Sequence, residues 1–353
     1  TRPVLLTVSG SIPADLDEAV AAGLRPRTDY RVMGARMQAD VVDVDQAIGE
    51  HGHLGRLLHR VGGAGLLLSW HAFRRRRSYE VVLTDGEHVG IPLALLTRCF
   101  GRGGSRHVMI AHLLSAPKKA RLFRWARIAS QVDRYVVYCS RQAGFVREDL
   151  GIAADRVVLT PFMVDTDFFS PDAAEVPRRR MICSAGLEQR DYATLLEAVD
   201  GLDVEVKITA GSFWSKRRDT STERPLPPNV TVQRLSMLDF RAMYAASAFV
   251  VMPLVEVDFQ AGITTILEAM SMGRAVVCSR VAGQTDTIVE GETGRYVPPR
   301  DPAALRQAIV ELLDDEAEAE RMGANARRWA IAHADVVGYA DHLAGVVAEV
   351  SGR

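Results

Sequence analysis

Short runs rich in β-branched residues alternate with amphipathic stretches along nearly all of this 353-residue chain. That alternation constrains the fold more than any other feature. Strands separated by helix-length stretches cannot pair as tight hairpins; they build parallel sheets with helices packed on both faces. In the first half the strand-like runs are Val4–Val8, Val41–Val44, Glu80–Thr84, His107–Ala111, Tyr135–Tyr138 and Val157–Thr160. Helical stretches include Asp15–Ala22, Pro92–Cys99, Lys118–Ser130 and Arg141–Leu150. A polar, proline-containing break over 170–180 interrupts the pattern, as a linker would. It restarts with strand Met181–Ala185, helix Tyr192–Val199, strands Val204–Ala210 and Val230–Arg234, helix Leu238–Ala246, and strands Phe249–Pro253 and Ala275–Ser279. A final helical region runs from Pro302 to about Val350.

The length suits two domains better than one core. The expected fold is α/β, with two doubly wound Rossmann-like domains facing across a cleft. The first covers 1–169, the linker 170–180 and the second 181–330, and a terminal helix over 331–353 is placed to pack back on the first. Open sheets of this kind bind ligands at the carboxyl ends of their strands. Composition narrows the class further. With 48% hydrophobic and 25% charged residues the chain can bury a core, and a net charge of −1 gives no footprint of a nucleic-acid binder. Four scattered cysteines without a C-x-x-C pair read as reduced and buried, so a cytoplasmic protein is expected. No apolar run approaches the about 20 residues of a membrane span, and a start directly on a strand-like run, without a charged leader, gives the expectation of an intracellular protein.

The segment from Asp258 to Met270, DFQAGITTILEAM, is a loop turning into a helix near Thr264 or Thr265. One reading is purely structural. Thr265-x-x-Glu268 forms a capping box, with Gly273 ending the helix. The other uses the same geometry for a ligand. Backbone N–H groups at a helix start, after Ala261 and Gly262, form an anion site, and a carboxylate one turn further on can accept hydrogen bonds from sugar hydroxyls. A nucleotide sugar has both the pyrophosphate and the sugars that such a pair would hold.

The second half resembles retaining GT-B glycosyltransferases, specifically glycosyltransferase family 4 (glycosyl transferases group 1). That family carries Glu, seven residues, Glu across this loop and helix, followed by Leu-Glu-Ala-Met and a small-x-Gly-x-Pro-Val-Val run. Here Leu267-Glu-Ala-Met-Ser-Met-Gly-Arg-Ala-Val-Val277 matches, with Glu268 in the second Glu position and Gln260 in the first. Arg274-Ala275 departs from the usual residue-Pro pair. The run from Val281 to Pro298, Asp301–Leu305, Met322–Arg327 and Thr160–Pro171 also resemble family segments, the last with Phe162-Met163 where Asn-Gly is usual. The resemblance implies an N-terminal acceptor-side domain and a C-terminal nucleotide-sugar domain. It implies that Glu268 holds the nucleotide ribose and that Gln260 sits by the transferred sugar without the family's charge. It also implies a donor site over Ala261, Gly262, Ile263, Thr264 and Thr265.

Further groups are expected at strand ends. Arg190, in the loop after Met181–Ala185, stands in for the family's phosphate-binding Lys, since Leu187 replaces its Arg; a surface salt bridge with Asp191 or Glu188 is the alternative. Lys216 and Arg217 follow strand Val204–Ala210 and offer a second phosphate contact or a solvated loop. Gly10 and Ser11, in the first βα turn, could contact the donor phosphate. His112 closes a strand where the family commonly places a His near the reacting sugar, although it could simply cap the next helix. Glu87 and His88 sit in a turn on the acceptor side.

Asp165-Thr-Asp167 and Asp43-Val-Asp45 imitate the metal-binding Asp-x-Asp of other glycosyltransferases. The first falls in the domain-junction motif and the second lacks further ligands, so neither a metal nor another cofactor is expected. The nine His and four Cys show no zinc spacing.

The implied reaction moves a hexose from a nucleoside diphosphate sugar, taken as UDP-glucose, to an acceptor hydroxyl with retained configuration. A non-catalytic nucleotide- or carbohydrate-binding homologue and a glycoside phosphorylase on the same scaffold are the alternatives. The acceptor could be a small molecule, glycan or lipid. Arg121, Arg124 and Arg127 line one side of a helical stretch beside Leu122, Trp125 and Ile128, and Arg74–Arg77 adds cations. Such a helix either docks peripherally on an anionic inner membrane face or packs its apolar stripe inward, which is the commoner arrangement.

Overall fold

The computed structural model describes residues 4–174, 176–209 and 226–352. The chain divides into two compact units: Thr1–Asp17, Arg27–Thr160 and Val337–Arg353 form one, and Glu18–Pro26 with Pro161–Val336 the other.

The first unit contains β1 (Val4–Thr7), α2 (Asp29–Met37), β2 (Asp40–Val42), α3 (Val44–Arg75), β3 (Val81–Thr84), α4 (Glu87–Phe100), β4 (Arg106–Ile110), α5 (Pro117–Ala126), β5 (Arg134–Val137), α6 (Ser140–Gly144) and β6 (Val157–Leu159). Helix α1 (Leu16–Ala21) spans the boundary between the units. The six strands form one parallel sheet in the order β2-β1-β3-β4-β5-β6. Their central residues are buried without alternation, as expected of strands covered on both faces. The chain runs outward from β1 to β2 and then crosses back to β3, so the sheet reverses direction between β1 and β3. A crevice opens outside the strand ends at such a switch point.

The second unit contains β7 (Met181–Ala185), α7 (Tyr192–Val199), β8 (Glu205–Thr209), β9 (Val230–Gln233), α8 (Met237–Ala246), β10 (Phe249–Met252), α9 (Ile263–Ser271), β11 (Val276–Ser279), β12 (Gly294–Val297), α10 (Pro302–Asp314) and α11 (Glu316–His333). Helix α12 (Val336–Ser351) then returns to the first unit from Val337 onward. This sheet is also parallel, in the order β12-β11-β10-β7-β8-β9, and its switch point lies between β7 and β10. Leu267, Ala269 and Met270 of α9 and Met243 and Tyr244 of α8 pack into one core layer with Cys183, Val250 and Cys278 of the sheet.

Three elements depart from the sequence reading. The stretch 44–75 forms a long helical element, α3, in which Gly52 (φ 55°) and Gly63 (φ 64°) leave helical geometry. The turns at these two glycines break the element into shorter pieces. Helix α4 starts at Glu87 rather than Pro92. Pro92 reads as a first-turn residue, yet it lies inside the helix. The His88 carbonyl it cannot serve is instead approached by Gly65, where a Cβ would stand 2.4 Å from that oxygen. Helix α5 ends at Ala126 because Arg127 turns to φ 48°.

Candidate functional site

The two switch points carry two sets of polar groups, and nearly all of the predicted site residues fall in them. In the second unit the loop after β7 is stitched to the loop after β10. Asp191 N donates to Pro253 O (3.0 Å), Val255 N to Gln189 O (3.1 Å), and Arg190 bridges Leu254. This fixes Arg190, whose Nε donates to Ala185 O (2.7 Å) and Nη1 to Glu188 O (2.6 Å). The guanidinium lies against two glycines: a Cβ on Gly186 would sit 2.5 Å from Nη2, and one on Gly262 would sit 3.2 Å from Nη1. Both glycines have positive φ (93° and 76°), so backbone geometry and space alike require glycine here. The Asp191 carboxylate, one alternative partner for Arg190, instead caps α7 through Thr194.

Gly262 is the N-cap of α9 and supplies no side chain to it. The N–H groups of Ile263, Thr264 and Thr265 therefore have no intrahelical acceptor, in a helix whose N-cap, Gly262, lies against the Arg190 guanidinium. Ala261 does not join them: its N–H donates to Phe259 O and its carbonyl accepts from Gln284 Nε2 (3.0 Å).

The capping-box reading of Glu268 is overturned. The helix begins at Ile263, which puts Thr265 in the third helical position and Glu268 in the sixth, too far in to cap. The Glu268 carboxylate accepts from the Tyr244 hydroxyl at 2.9 Å. Burial pushes its pKa up to about 8, with the Tyr244 bond pulling the other way. Gln260 is half-buried; its Nε2 reaches Thr287 Oγ1 at 3.4 Å and its Oε1 is a buried acceptor without a hydrogen-bond partner. Sequence reasoning misses Tyr244, although a buried tyrosine hydroxyl needs a partner and Tyr244 lies on a predicted helix.

In the first unit, Ser9 follows β1, Asp85 follows β3 and His112 follows β4. Asp85 accepts from Thr7 Oγ1 (3.2 Å), Ser9 N (2.6 Å) and Ser9 Oγ (2.9 Å). His88 Nε2 lies 2.5 Å from Ser9 Oγ. His112 Nε2 lies 3.0 Å from the Asp85 carbonyl, which can only accept, so in the neutral ring Nε2 carries the proton and Nδ1 is the acceptor. Glu87, predicted as an acceptor-side contact, is 3% exposed. It accepts from His112 N (2.9 Å) and Lys119 Nζ (2.6 Å) and so holds the histidine in place. Burial alone would raise its pKa, but the Lys119 ammonium, the neighbouring His112 and hydrogen bonds from Lys119 and the backbone together outweigh it and hold the carboxyl below its ordinary range. Asp29, at the start of α2, joins the electrostatics of this site; burial raises its carboxyl pKa, and the Asp85 charge acts in the same sense. Nothing in the sequence marks it beyond a helix start.

Gly10 accepts from Val44 N at 3.4 Å, and Ser11 is exposed in the same turn. Lys216 and Arg217 lie outside the described residues. Both Asp-x-Asp sequences have structural work: Asp165 accepts from the backbone of Asp167 and Phe168, and Asp43 caps α3 in a capping box with Gln46. On α5, Phe123 and Ala120 are buried; of the expected stripe, Trp125 is 81% exposed and Leu122 is exposed, while Ile128, just beyond the helix, is fully buried, so only part of the stripe packs inward. Among Arg74–Arg77, Arg76 is buried over the Phe73 ring and Arg75 pairs with Glu50.

Two parallel doubly wound sheets, each with a polar cluster at its switch point, are the fold of the GT-B glycosyltransferases. Over essentially the whole chain the structure matches Alr3699/HepE of Anabaena, solved in complex with UDP and glucose (TM-score 0.72, 14% identity, 99% of this chain and 100% of that one). It matches a sucrose-phosphate synthase of Thermosynechococcus elongatus as well (TM-score 0.72, 18% identity, 100% of both chains). Within that class, residues 179–315 match the family Glycosyl transferases group 1. Among curated proteins, an MMP alpha-(1->4)-mannosyltransferase of Mycolicibacterium hassiacum is 28% identical over 58% of this chain and 51% of its own length. A GDP-mannose-dependent alpha-(1-6)-phosphatidylinositol monomannoside mannosyltransferase of Mycolicibacterium smegmatis is 27% identical over 68% of this chain and 69% of its own. The chain spans about half the length of the first of these. Among the described residues no helix is long and apolar enough to cross a membrane.

Proposed function

We propose that the protein is a retaining hexosyltransferase that takes a nucleoside diphosphate sugar at the β7/β10 switch point and transfers the sugar to an acceptor hydroxyl. One observation carries the reading: the Arg190 guanidinium lies against Gly262, at the uncapped start of α9, with Glu268 one turn and more behind. A diphosphate placed there meets a fixed cation and three N–H groups, and a ribose meets Glu268. Charge that builds on the leaving phosphate is stabilised by groups that need no reorganisation, and preorganised stabilisation of this kind is the chief source of rate enhancement in many enzymes. The phosphate charge is met by protein groups, so we propose transfer without a divalent metal.

In this reading the leaving phosphate itself takes the acceptor's proton on the face from which the acceptor attacks, and configuration is retained. His112, held by Glu87 and by the Asp85 carbonyl, offers Nδ1 to a sugar hydroxyl or the acceptor. Gln260 offers the transferred sugar an uncharged contact through its unpartnered Oε1. UDP-glucose is the proposed donor, in keeping with a structural neighbour solved with UDP-glucose; GDP-mannose is the second reading, because a curated relative is named for it. A lipid-borne acceptor at an anionic cytoplasmic membrane face is favoured by the exposed Trp125 among the cations of α5. Incubation with UDP-glucose and GDP-mannose against an acceptor panel, with the anomeric product read by NMR, tests the reading. An inverted anomer removes the retaining mechanism, and the absence of any transfer leaves a non-catalytic binder.

A further inference from the structure

The long helical element α3 carries a histidine-rich run, Glu50-His51-Gly52-His53, that the proposed transfer does not use. Gly52 turns the chain with φ 55° and ψ −123°, and Gly63 turns it again. A Cβ at either glycine would meet nothing within 4 Å, so it is the backbone conformation that calls for glycine there. The consequence is that Glu50 and His51, from the first piece of the element, meet His71 from the last.

One ligand atom from each of Glu50, His51 and His71 lies within 4.8 Å of the other two. His71 is 3% exposed and its Nδ1 has no hydrogen-bond partner; His51 Nε2 is buried and also without one. The imidazole rings stand edge to face with centroids 5.3 Å apart, and Glu50 Oε2 is 3.8 Å from His71 Nδ1, too long for a hydrogen bond. Two unsatisfied buried ring nitrogens on histidines clustered with one carboxylate need an explanation, because such atoms ordinarily have partners. Arg75 also holds Glu50, Nε donating to Oε1 and Nη2 to Oε2, both at 2.9 Å. A carboxylate has about four acceptor positions, so this fork orients it and leaves lone pairs for a further ligand.

We propose that Glu50, His51 and His71 bind a divalent ion of the zinc type, which ties the first piece of α3 to its last. Imidazole and carboxylate suit such borderline ions better than calcium or magnesium, which prefer oxygen alone. A tetrahedral ion with bonds of about 2.0–2.2 Å wants its ligand atoms roughly 3.3–3.6 Å apart, a modest contraction of the present cluster. The fourth position is left to water. Sequence spacing does not disclose the site, because residues 50 and 51 meet residue 71 only through the two glycine turns.

The test uses the metal-stripped full chain titrated with zinc against a chromophoric chelator, and with cobalt, whose visible absorption reports nitrogen and oxygen ligation. One equivalent is expected to bind. Outer-shell changes typically weaken metal affinity about 10–100-fold; His51→Gln and His71→Gln should each exceed that loss and alter the cobalt spectrum. His59→Gln should leave both unchanged. His51 is only half-buried, so its variant stays informative if His71→Gln fails to fold. Absence of stoichiometric binding overturns the proposal, as does binding that His51→Gln leaves intact.

Discussion

The two switch-point clusters differ in how far their polar groups satisfy one another. In the first unit the groups are paired almost to completion: Asp85 takes three donors, Glu87 takes His112 N–H and Lys119, and Ser9 serves both Asp85 and His88. In the second unit capacity is left over. Three helix-start amides lack intrahelical acceptors, Glu268 has the Tyr244 hydroxyl, and Gln260 keeps an unpartnered oxygen. Unsatisfied polar groups are costly when buried, and on the proposed function the partners of these groups arrive with the nucleotide sugar. A network already closed serves to hold a side chain still, here His112. On the proposed function, the same fold supports a positioning cluster in one unit and a binding cluster in the other.

That contrast can be broken experimentally. The largest effect is expected at Arg190. On the proposed function Arg190 neutralises the leaving group, so Arg190→Ala should lower turnover by about 100- to 1,000-fold, as loss of a comparable fixed donor does. A loss no greater than that of a surface arginine would place the charge elsewhere, with Lys216 and Arg217 as the next residues to substitute.

Glu268 comes second. Glu268→Ala should weaken nucleotide binding roughly 10- to 100-fold, the worth of hydrogen bonds to a charged or charge-capable group, measured by calorimetry. The same residue sets a pH dependence. Its folded pKa of about 8 exceeds its ordinary 4.5, so the folded state holds a proton that the unfolded state has released. Stability is therefore fully present below about pH 4.5 and falls as pH rises toward 8. Glu268→Gln should flatten denaturation midpoints across that window, while an unchanged slope would assign the dependence to another group.

In the first unit the effect should fall on structure before chemistry. Glu87→Gln breaks the Lys119 pair and weakens the hold on His112; because Lys119 is partly exposed, a cost of about 1–3 kcal/mol is expected. The Glu87 carboxyl is held below its ordinary range, so its contribution is present above about pH 4.5 and is lost as pH falls through the folded value. A variant with unchanged stability but abolished nucleotide binding would reverse the roles assigned to the two clusters. The smallest effect is expected at Gln260: Gln260→Ala should cost only a few-fold in kcat/KM, consistent with about 1 kcal/mol for a neutral hydrogen bond. A hundred-fold loss would make the amide a principal sugar contact.

Much of the fold is legible in the sequence. The β-branched runs locate most strands to within a residue or two because parallel strands are buried on both faces and write their length as continuous apolar runs. β12 is not legible as a separate strand, since Gly294-Arg-Tyr-Val297 carries only one strongly apolar residue. Gly262 and Arg190 both stand among the residues expected in a donor site, yet the contact between them is not legible, since it depends on the pairing of loops 186–191 and 253–255. Glu268 reads two ways because Thr-x-x-Glu fits a cap whenever the helix start is uncertain by a turn. Only the observed start at Ile263 decides it. The α3 element is absent from the sequence reading, and its turns at Gly52 and Gly63 are visible only in the backbone.

The central claim is that the second unit binds a nucleoside diphosphate sugar between Arg190, the start of α9 and Glu268. Thermal unfolding with and without UDP-glucose, GDP-mannose and ADP-glucose tests it most directly, with Arg190→Ala as the paired variant. The account predicts that at least one nucleotide sugar raises Tm in a concentration-dependent way and that the shift disappears in the variant. No shift with any of them, or an equal shift in Arg190→Ala, would contradict it.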